Sequence, residues 1–230
     1  MGLRKLGAEK ISARQLDFIF VLDVSGSMHG EKIAALNYAI KEAIPAMQEA
    51  AHKNVNAEIM VRVLTFSDDV NWFIEREPIK DFLWHDIKPQ GLSNLGRAFT
   101  ELARILDESL MPDRGLPPVI VLITDGMPTD DYKEGLAMLL ATKWGRAAVR
   151  LAIALENDVE KAVLDDFIDN NRIKPIRVEN ANQLVKYMRF VSTVVLNTVS
   201  SVKDNEKLIF DFDFDLPEDD ETTTDVYDVF

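Results

Sequence analysis

Short apolar runs alternate along this chain with longer stretches in which apolar residues recur every three or four positions. Runs of this kind predict strands, whereas the wider spacing predicts helices with one buried face. The strand-like segments are 16–22, 57–66, 70–74, 119–124, 149–155 and 174–178. The helix-like segments are 31–51, 95–106, 136–144, 159–168 and 184–202. Pro45 lies inside the first of these helices and predicts a kink or an end there.

The alternating order of strands and helices is typical of an open α/β fold. We therefore predict a mostly parallel, doubly wound, Rossmann-like sheet with helices on both faces. The segment 70–74 follows 57–66 after a short turn, so it is expected to form one antiparallel edge strand. We predict an N-terminal lead-in over 1–14, the α/β domain over 15–203 and an acidic tail over 204–230.

Polar residues follow two of the predicted central strands. Asp23, Ser25 and Ser27 come directly after the first apolar run, and Asp125 follows the run at 119–124. In open α/β sheets, ligands bind at the carboxyl ends of the strands, near the point where the strand order reverses. Carboxylate and hydroxyl oxygens on a tight loop suit a hard divalent cation. The sequence thus predicts a metal-centred binding site built from these two loops.

Three separated loops carry a family resemblance: the Asp-x-Ser-x-Ser sequence at 23–27, the middle loop 91–96 and Thr-Asp-Gly at 124–126. In this order they resemble the von Willebrand factor type A domain and its metal-ion-dependent adhesion site. The resemblance implies Mg²⁺ or Mn²⁺ held by Asp23, Ser25, Ser27, Ser93 and Asp125. Ser93 stands where the family usually has Thr, and it keeps the hydroxyl group. Asn94 is a second candidate for that ligand position.

The donor set itself predicts what such a site can do. The five residues supply at most two negative charges and three neutral oxygens, whereas Mg²⁺ takes six oxygen ligands and readily keeps waters. A carboxylate from another protein can displace one water and complete the coordination. We therefore predict a divalent-cation-dependent protein interaction module with one ion, Mg²⁺, Mn²⁺ or Ca²⁺. The rim that contacts the partner is predicted to contain Met28, His29, Asn94 and Met127.

Two further phrases, at 65–67 and 123–131, are most similar to the bacterial TerY-like branch of the family. That resemblance implies a role in a tellurite-resistance or stress-response system, beside kinase-like or phosphatase-like proteins. A regulatory subunit of a kinase or phosphatase complex is therefore an alternative function.

No acid–base pair suited to catalysis is visible, so the chain is not expected to be an enzyme. A hydrolase or nucleotide-binding protein stays an alternative, because Gly26–Lys32 superficially resembles a phosphate-binding loop. A Walker A motif, however, needs four residues between its glycines, followed by Lys and Ser or Thr. Here three residues separate Gly26 from Gly30, and Ile33 follows Lys32.

Composition restricts the partners and the compartment. The chain has no cysteine, which excludes thiolate metal sites and fits a reducing cytoplasm. No stretch has the roughly 18 apolar residues needed to span a bilayer, so a membrane partner is not expected. The net charge is −13, without clustered Lys and Arg, which argues against nucleic acid as a direct partner.

Most of the net negative charge lies in the C-terminal tail. From Asp204 onward there are 11 acidic residues and one basic residue, Lys207. Residues 209–216 alternate between apolar and acidic side chains, as an extended strand would. The tail is either a solvated acidic segment or a docking segment that uses Phe210, Phe212, Phe214 and Asp215. A further alternative is that a tail carboxylate completes the metal site of the same or a neighbouring molecule.

Overall fold

A computed structural model describes residues 13–54, 57–112, 114–155, 160–170 and 172–191 of the chain. The strands are β1 (Arg14–Asp23), β2 (Ala57–Phe66), β3 (Val70–Pro78), β4 (Val119–Thr124), β5 (Val149–Leu155) and β6 (Ile176–Val178). The helices are α1 (Glu31–Lys53), α2 (Leu95–Ile105), α3 (Tyr132–Ala141), α4 (Lys143–Ala147), α5 (Lys161–Ile168) and α6 (Ala181–Phe190). Single 3₁₀ turns lie at Gly26–Met28 and Ile79–Asp81. Among the described residues, no helix combines the length and the apolar character needed to cross a bilayer.

The six strands form one sheet in the order β3-β2-β1-β4-β5-β6. Every neighbouring pair is parallel except β2 and β3, which pair antiparallel at one edge. The chain moves outward from β1 through β2 to β3, then crosses to β4 on the other side of β1. The strand order therefore reverses between β1 and β4, which end at Asp23 and Thr124. This reversal is the place where ligands bind in sheets of this type.

The central strands are buried on both faces. Every residue of β4 and β5 is buried, and β1 is buried from Leu16 to Asp23. Helices α1 and α6 pack together, joined by an ion pair between Arg189 and Glu42 at 2.6 Å. On the other face α2 packs against α3, and Phe99 of α2 stacks on Phe167 of α5 with ring centroids 5.2 Å apart. The predicted fold, a mostly parallel sheet with one antiparallel edge strand, is confirmed.

The ends of several helices differ from the predictions. α1 continues through Pro45 to Lys53, so an end at Pro45 is wrong. Buried contacts of Ile44 and Met47 with the core hold this part of the helix despite the missing backbone donor. The single helix predicted over 136–144 is two helices, α3 and α4. Thr142 separates them, because its hydroxyl accepts from Gly145 N at 2.9 Å and caps the second helix.

Candidate metal centre

Asp23 ends β1 and lies at the bottom of the site, where its carboxylate is fully buried. One oxygen accepts from the backbone N–H of Ser25 at 2.9 Å. The other accepts from two hydroxyls, that of Ser93 at 3.0 Å and that of Thr124 at 2.6 Å. Asp23 thus joins its own loop to the middle loop and to the end of β4.

Asp125 follows β4, and its side chain has no exposed surface. Its Oδ1 accepts from the hydroxyl of Ser27 at 2.7 Å, and Ser27 lies 3.0 Å from the hydroxyl of Ser25. Its Oδ2 accepts from the ammonium of Lys32 at 2.8 Å, in the first turn of α1. The second carboxylate is therefore bonded both to the serine loop and to a positive charge.

Backbone contacts hold the serine loop against the middle loop. Gly26 N donates to Gly91 O at 2.8 Å, and Gln90 N donates to Val24 O at 2.6 Å. Gly91 has φ +72°, and a Cβ there would lie 2.2 Å from the Asp68 carboxylate. Glycine is favoured at this crossing, because the positive φ strains other residues and a side chain would also displace the Asp68 carboxylate.

The loop after β4 holds the middle loop from its other side. Thr129 N donates to Ser93 O at 2.8 Å, and the Thr129 hydroxyl donates to the Asn94 side-chain oxygen at 3.1 Å. The Asp130 carboxylate accepts from Gly96 N at 2.9 Å and from Arg97 N at 3.0 Å, so it caps α2. The start of α2, and with it Ser93, is therefore fixed from a different loop.

Burial dominates the electrostatics of Asp23. Desolvation raises the pKa of its carboxyl above the usual range, and the nearby charge of Asp125 raises it further. The hydrogen bonds from Ser25 and Thr124 oppose this and lower the pKa. Two acids close together and out of water favour a cation between them, because it offsets both the repulsion and the desolvation.

The side chains present fit a hard divalent cation. Two oxygens that share an edge of an octahedral Mg²⁺ shell are about 3 Å apart, because each lies about 2.1 Å from the ion. The hydroxyls of Ser25 and Ser27 are 3.0 Å apart, which matches such an edge. Among the described residues, no group of three or more His, Cys, Asp or Glu side chains is placed to hold a metal. An ion here must therefore rely on hydroxyl oxygens in addition to Asp23 and Asp125.

The structure brings the five predicted ligand residues into one hydrogen-bonded cluster: Asp23, Ser25, Ser27, Ser93 and Asp125. The predicted rim differs in one respect. Met28 has no exposed surface, because the 3₁₀ turn directs it into the core, so its assignment to the rim is wrong. His29 and Met127 are exposed, as a rim requires.

Asn94 is half-buried, and both ends of its amide are engaged within the loops. Its nitrogen donates to Asp68 O at 3.0 Å, while its oxygen accepts from Thr129. In this arrangement Asn94 supports the middle loop, and Ser93 is the residue of that loop that contacts Asp23. The predicted docking residues Phe210, Phe212, Phe214 and Asp215 lie outside the described residues.

Sequence reasoning missed two polar side chains of this site. Thr124 binds Asp23, and the signal for it was its position as the last residue of β4, directly before Asp125. Lys32 donates to Asp125, which lies 93 positions later in the sequence. From the sequence alone, Lys32 stands out only as part of a segment that resembles a phosphate-binding loop. Nothing in its local pattern indicates that contact.

The fold and the site define a class of protein. Its members have an open α/β sheet and a site lined by oxygen atoms at the place where the strand order reverses. The family described as von Willebrand factor type A domain matches residues 17–189, and the chain belongs to this family. Comparison with curated proteins finds no match.

Solved structures of other proteins share the fold. A von Willebrand factor type A protein from Catenulispora acidiphila is 15% identical with a TM-score of 0.61, covering 79% of this chain and 43% of that one. The ArnB paralog VWA2 from Sulfolobus acidocaldarius is 22% identical with a TM-score of 0.58, covering 77% and 45%. Proximal thread matrix protein 1 from the mussel byssus, with a zinc-occupied MIDAS motif, is 19% identical with a TM-score of 0.58, covering 80% and 46%. This chain spans less than half the length of each.

Proposed function

We propose that this protein is a divalent-cation-dependent protein interaction module that binds a carboxylate of its partner through the ion. One observation carries the proposal. Two buried carboxylates and three hydroxyls, from three different loops, are hydrogen-bonded together where the strand order of the sheet reverses. Asp23, Ser25, Ser27, Ser93 and Asp125 would hold the ion. Mg²⁺ fits the all-oxygen donors best, with Mn²⁺ and Ca²⁺ as alternatives. The zinc-occupied MIDAS motif of the mussel protein supports metal binding on this fold.

The surroundings of the site suggest the chemistry of the partner. Ser27 is exposed, so the ion can be reached from solvent. Leu92 and Met127, on two of the loops that form the site, are 58% and 57% exposed, although both are apolar. A partner that presents Asp or Glu beside apolar side chains would match both features. The ion would supply a strong, directional contact, and the apolar residues would add buried area.

The first test is pulldown of cellular proteins with Mg²⁺ against EDTA, comparing wild type with Asp23→Ala. Binding that requires Mg²⁺ and is lost in Asp23→Ala supports the proposal. Asp86→Ala is a suitable control, because this acid is exposed and pairs with Lys41 instead. Partner binding by Asp23→Ala that persists in EDTA would refute the proposal.

A second pair of variants separates the partner surface from the ion site. Leu92→Glu and Met127→Glu place a negative charge beside the ion without removing any ligand. Each variant should bind the cation at least as tightly as wild type in calorimetry, because the added charge attracts it, and should lose the acidic partner, because like charges repel. Partner binding unchanged by both substitutions would show that the partner does not approach over these side chains.

The finer assignments extend this proposal. The phrases at 65–67 and 123–131 support a place in a bacterial tellurite-resistance or stress-response system of the TerY-like kind, in the cytoplasm. In that setting the partners would be kinase-like or phosphatase-like proteins, and the chain would act without catalysis of its own. Mass spectrometry of what co-purifies with and without EDTA tests the partners. Turnover of phosphoester or nucleotide substrates by the purified chain would contradict the non-catalytic role.

A further inference from the structure

The ammonium of Lys32 holds one of the two carboxylates of the site. Its Nζ lies 2.8 Å from Asp125 Oδ2, and Asp125 has no exposed side-chain surface. The Lys32 side chain is 23% exposed, against 53% for Lys41 and 71% for Lys53. A pair this well buried is a structural ion pair, unlike the exposed lysine pairs elsewhere on α1.

The Lys32–Asp125 pair lies at the place where a bound divalent ion would compensate the charge of Asp125. A buried carboxylate without a counter-charge is costly, so some cation must accompany Asp125. Lys32 provides one positive charge to that carboxylate, and a divalent ion between Asp23 and Asp125 would provide two. Both cations would then lie against the same carboxylate, where they repel each other.

We propose that Lys32 is a built-in competitor for the divalent ion: its ammonium compensates Asp125 in the metal-free protein and moves away when the ion binds. The proposal rests on the function proposed above, since it requires that the site takes a cation. Its consequence is that Lys32 lowers the affinity for the ion while it stabilises the metal-free fold.

The structure has space beside α1 into which the Lys32 side chain can move. A groove of about 470 Å³ opens beside it, between α1 and the β6–α6 segment, and Lys32 lines this groove. Glu31 and Glu179 line the same groove, so it carries negative charge that would attract the ammonium. The long, flexible stem of lysine permits this movement without a change in the backbone of α1.

Calorimetric titration with Mn²⁺ and with Mg²⁺ tests the competition directly. Lys32→Met keeps an unbranched side chain that is one atom shorter and removes its charge. This variant should bind either ion about tenfold more tightly than wild type, equivalent to about 1.4 kcal/mol. Lys32→Arg keeps the charge and should bind as weakly as wild type. Lys41→Met is the matched control on the same helix, because Lys41 pairs with exposed Asp86, and it should change nothing.

The outcomes separate this inference from the proposed function. Equal affinity of wild type and Lys32→Met would overturn the competition and leave the metal site standing. Weaker binding by Lys32→Met would also overturn it, since Lys32 would then position Asp125 as a ligand. Absence of binding in both proteins would overturn the metal site and this inference together. Binding by Lys32→Met alone would support both.

A labelling measurement uses only the wild-type protein, so its result does not depend on whether a variant folds. Lysine acylation followed by mass spectrometry reports how accessible each ammonium is, with and without Mg²⁺. Labelling of Lys32 should rise several-fold when Mg²⁺ is added, whereas labelling of Lys41 should stay constant. A Lys32 labelling rate that is unchanged or lower at saturating Mg²⁺ would refute its displacement.

Discussion

Replacing Asp130 with alanine should weaken both the fold and the ion site. The Asp130 carboxylate caps α2 through Gly96 N and Arg97 N, whereas the side chain of the local N-cap residue, Asn94, makes no capping bond. Asp131 is a natural control, because it caps its own helix, α3, through Lys133 N at 3.0 Å. The two neighbouring acids thus perform the same task at two different helices.

The structure sets the size of the effect. Loss of a helix cap costs about 1 kcal/mol, in a range of about 0.5–2. The bond to Gly96 N is half-buried while that to Arg97 N is exposed, so water can replace only the second. We expect Asp130→Ala to lose about 1–2 kcal/mol, or about 3–6 °C in Tm. Asp131→Ala should lose about 1 kcal/mol.

The two variants should differ in their affinity for the ion. α2 begins two positions after Ser93, so a loosened start of α2 releases the Ser93 hydroxyl from Asp23. Removing a group that orients a metal ligand typically lowers affinity about 10–100-fold, and we expect about tenfold for Asp130→Ala. Asp131→Ala should stay within about twofold of wild type, because its cap lies on a different helix. Urea denaturation in EDTA and Mn²⁺ titration measure both quantities. Equal losses of ion affinity in the two variants would refute the reasoning.

Three further changes probe the site and its support. Thr124→Val removes the 2.6 Å hydrogen bond to buried Asp23. The free energy of unfolding in EDTA should fall by about 1–3 kcal/mol in a denaturant titration, and an unchanged value would contradict the role of this bond. Arg150→Met removes three bonds to backbone carbonyls from a buried guanidinium, so thermal unfolding should show a loss of about 2–4 kcal/mol. In Gly135→Ala the new Cβ would lie 2.0 Å from Gly96 O, so unfolding should show a loss of more than 2 kcal/mol despite the helix propensity gain of about 1. A stabilised Gly135→Ala would show that α2 and α3 can separate freely.

The sequence was sufficient to predict the sheet and the approach of the loops that carry Asp23 and Asp125 at its edge. β1 and β4 contain the apolar runs 18–22 and 119–123, and the acids that follow these runs, Asp23 and Asp125, come together because the strands are parallel neighbours. The position of Ser93 could be predicted only through the family resemblance, since its contact with Asp23 spans 70 positions of sequence.

Other features of the site depend on tertiary contacts that no local sequence pattern predicts. Asp130 and Asp131 both precede α3 in the sequence, but only Asp131 caps that helix, whereas Asp130 reaches the start of α2. Met28 follows exposed Ser27 in a loop that looks solvated, yet the 3₁₀ turn places it in the core. Lys32 precedes the apolar face of α1, and only the tertiary arrangement brings the start of α1 to Asp125, which follows β4.

The hydrogen bond between Ser27 and Asp125 has a defined direction. A hydroxyl has one hydrogen to donate, and Ser27 donates it to Asp125, so Ser27 can only accept in its contact with Ser25. The Ser27 proton therefore points toward the carboxylate, the Ser25 proton is left for Ser27 or for Asp23, and lone pairs of both oxygens remain for an incoming ion. The loop thus orients its ligand dipoles before any ion arrives, and little reorganisation of the serine side chains is needed on binding.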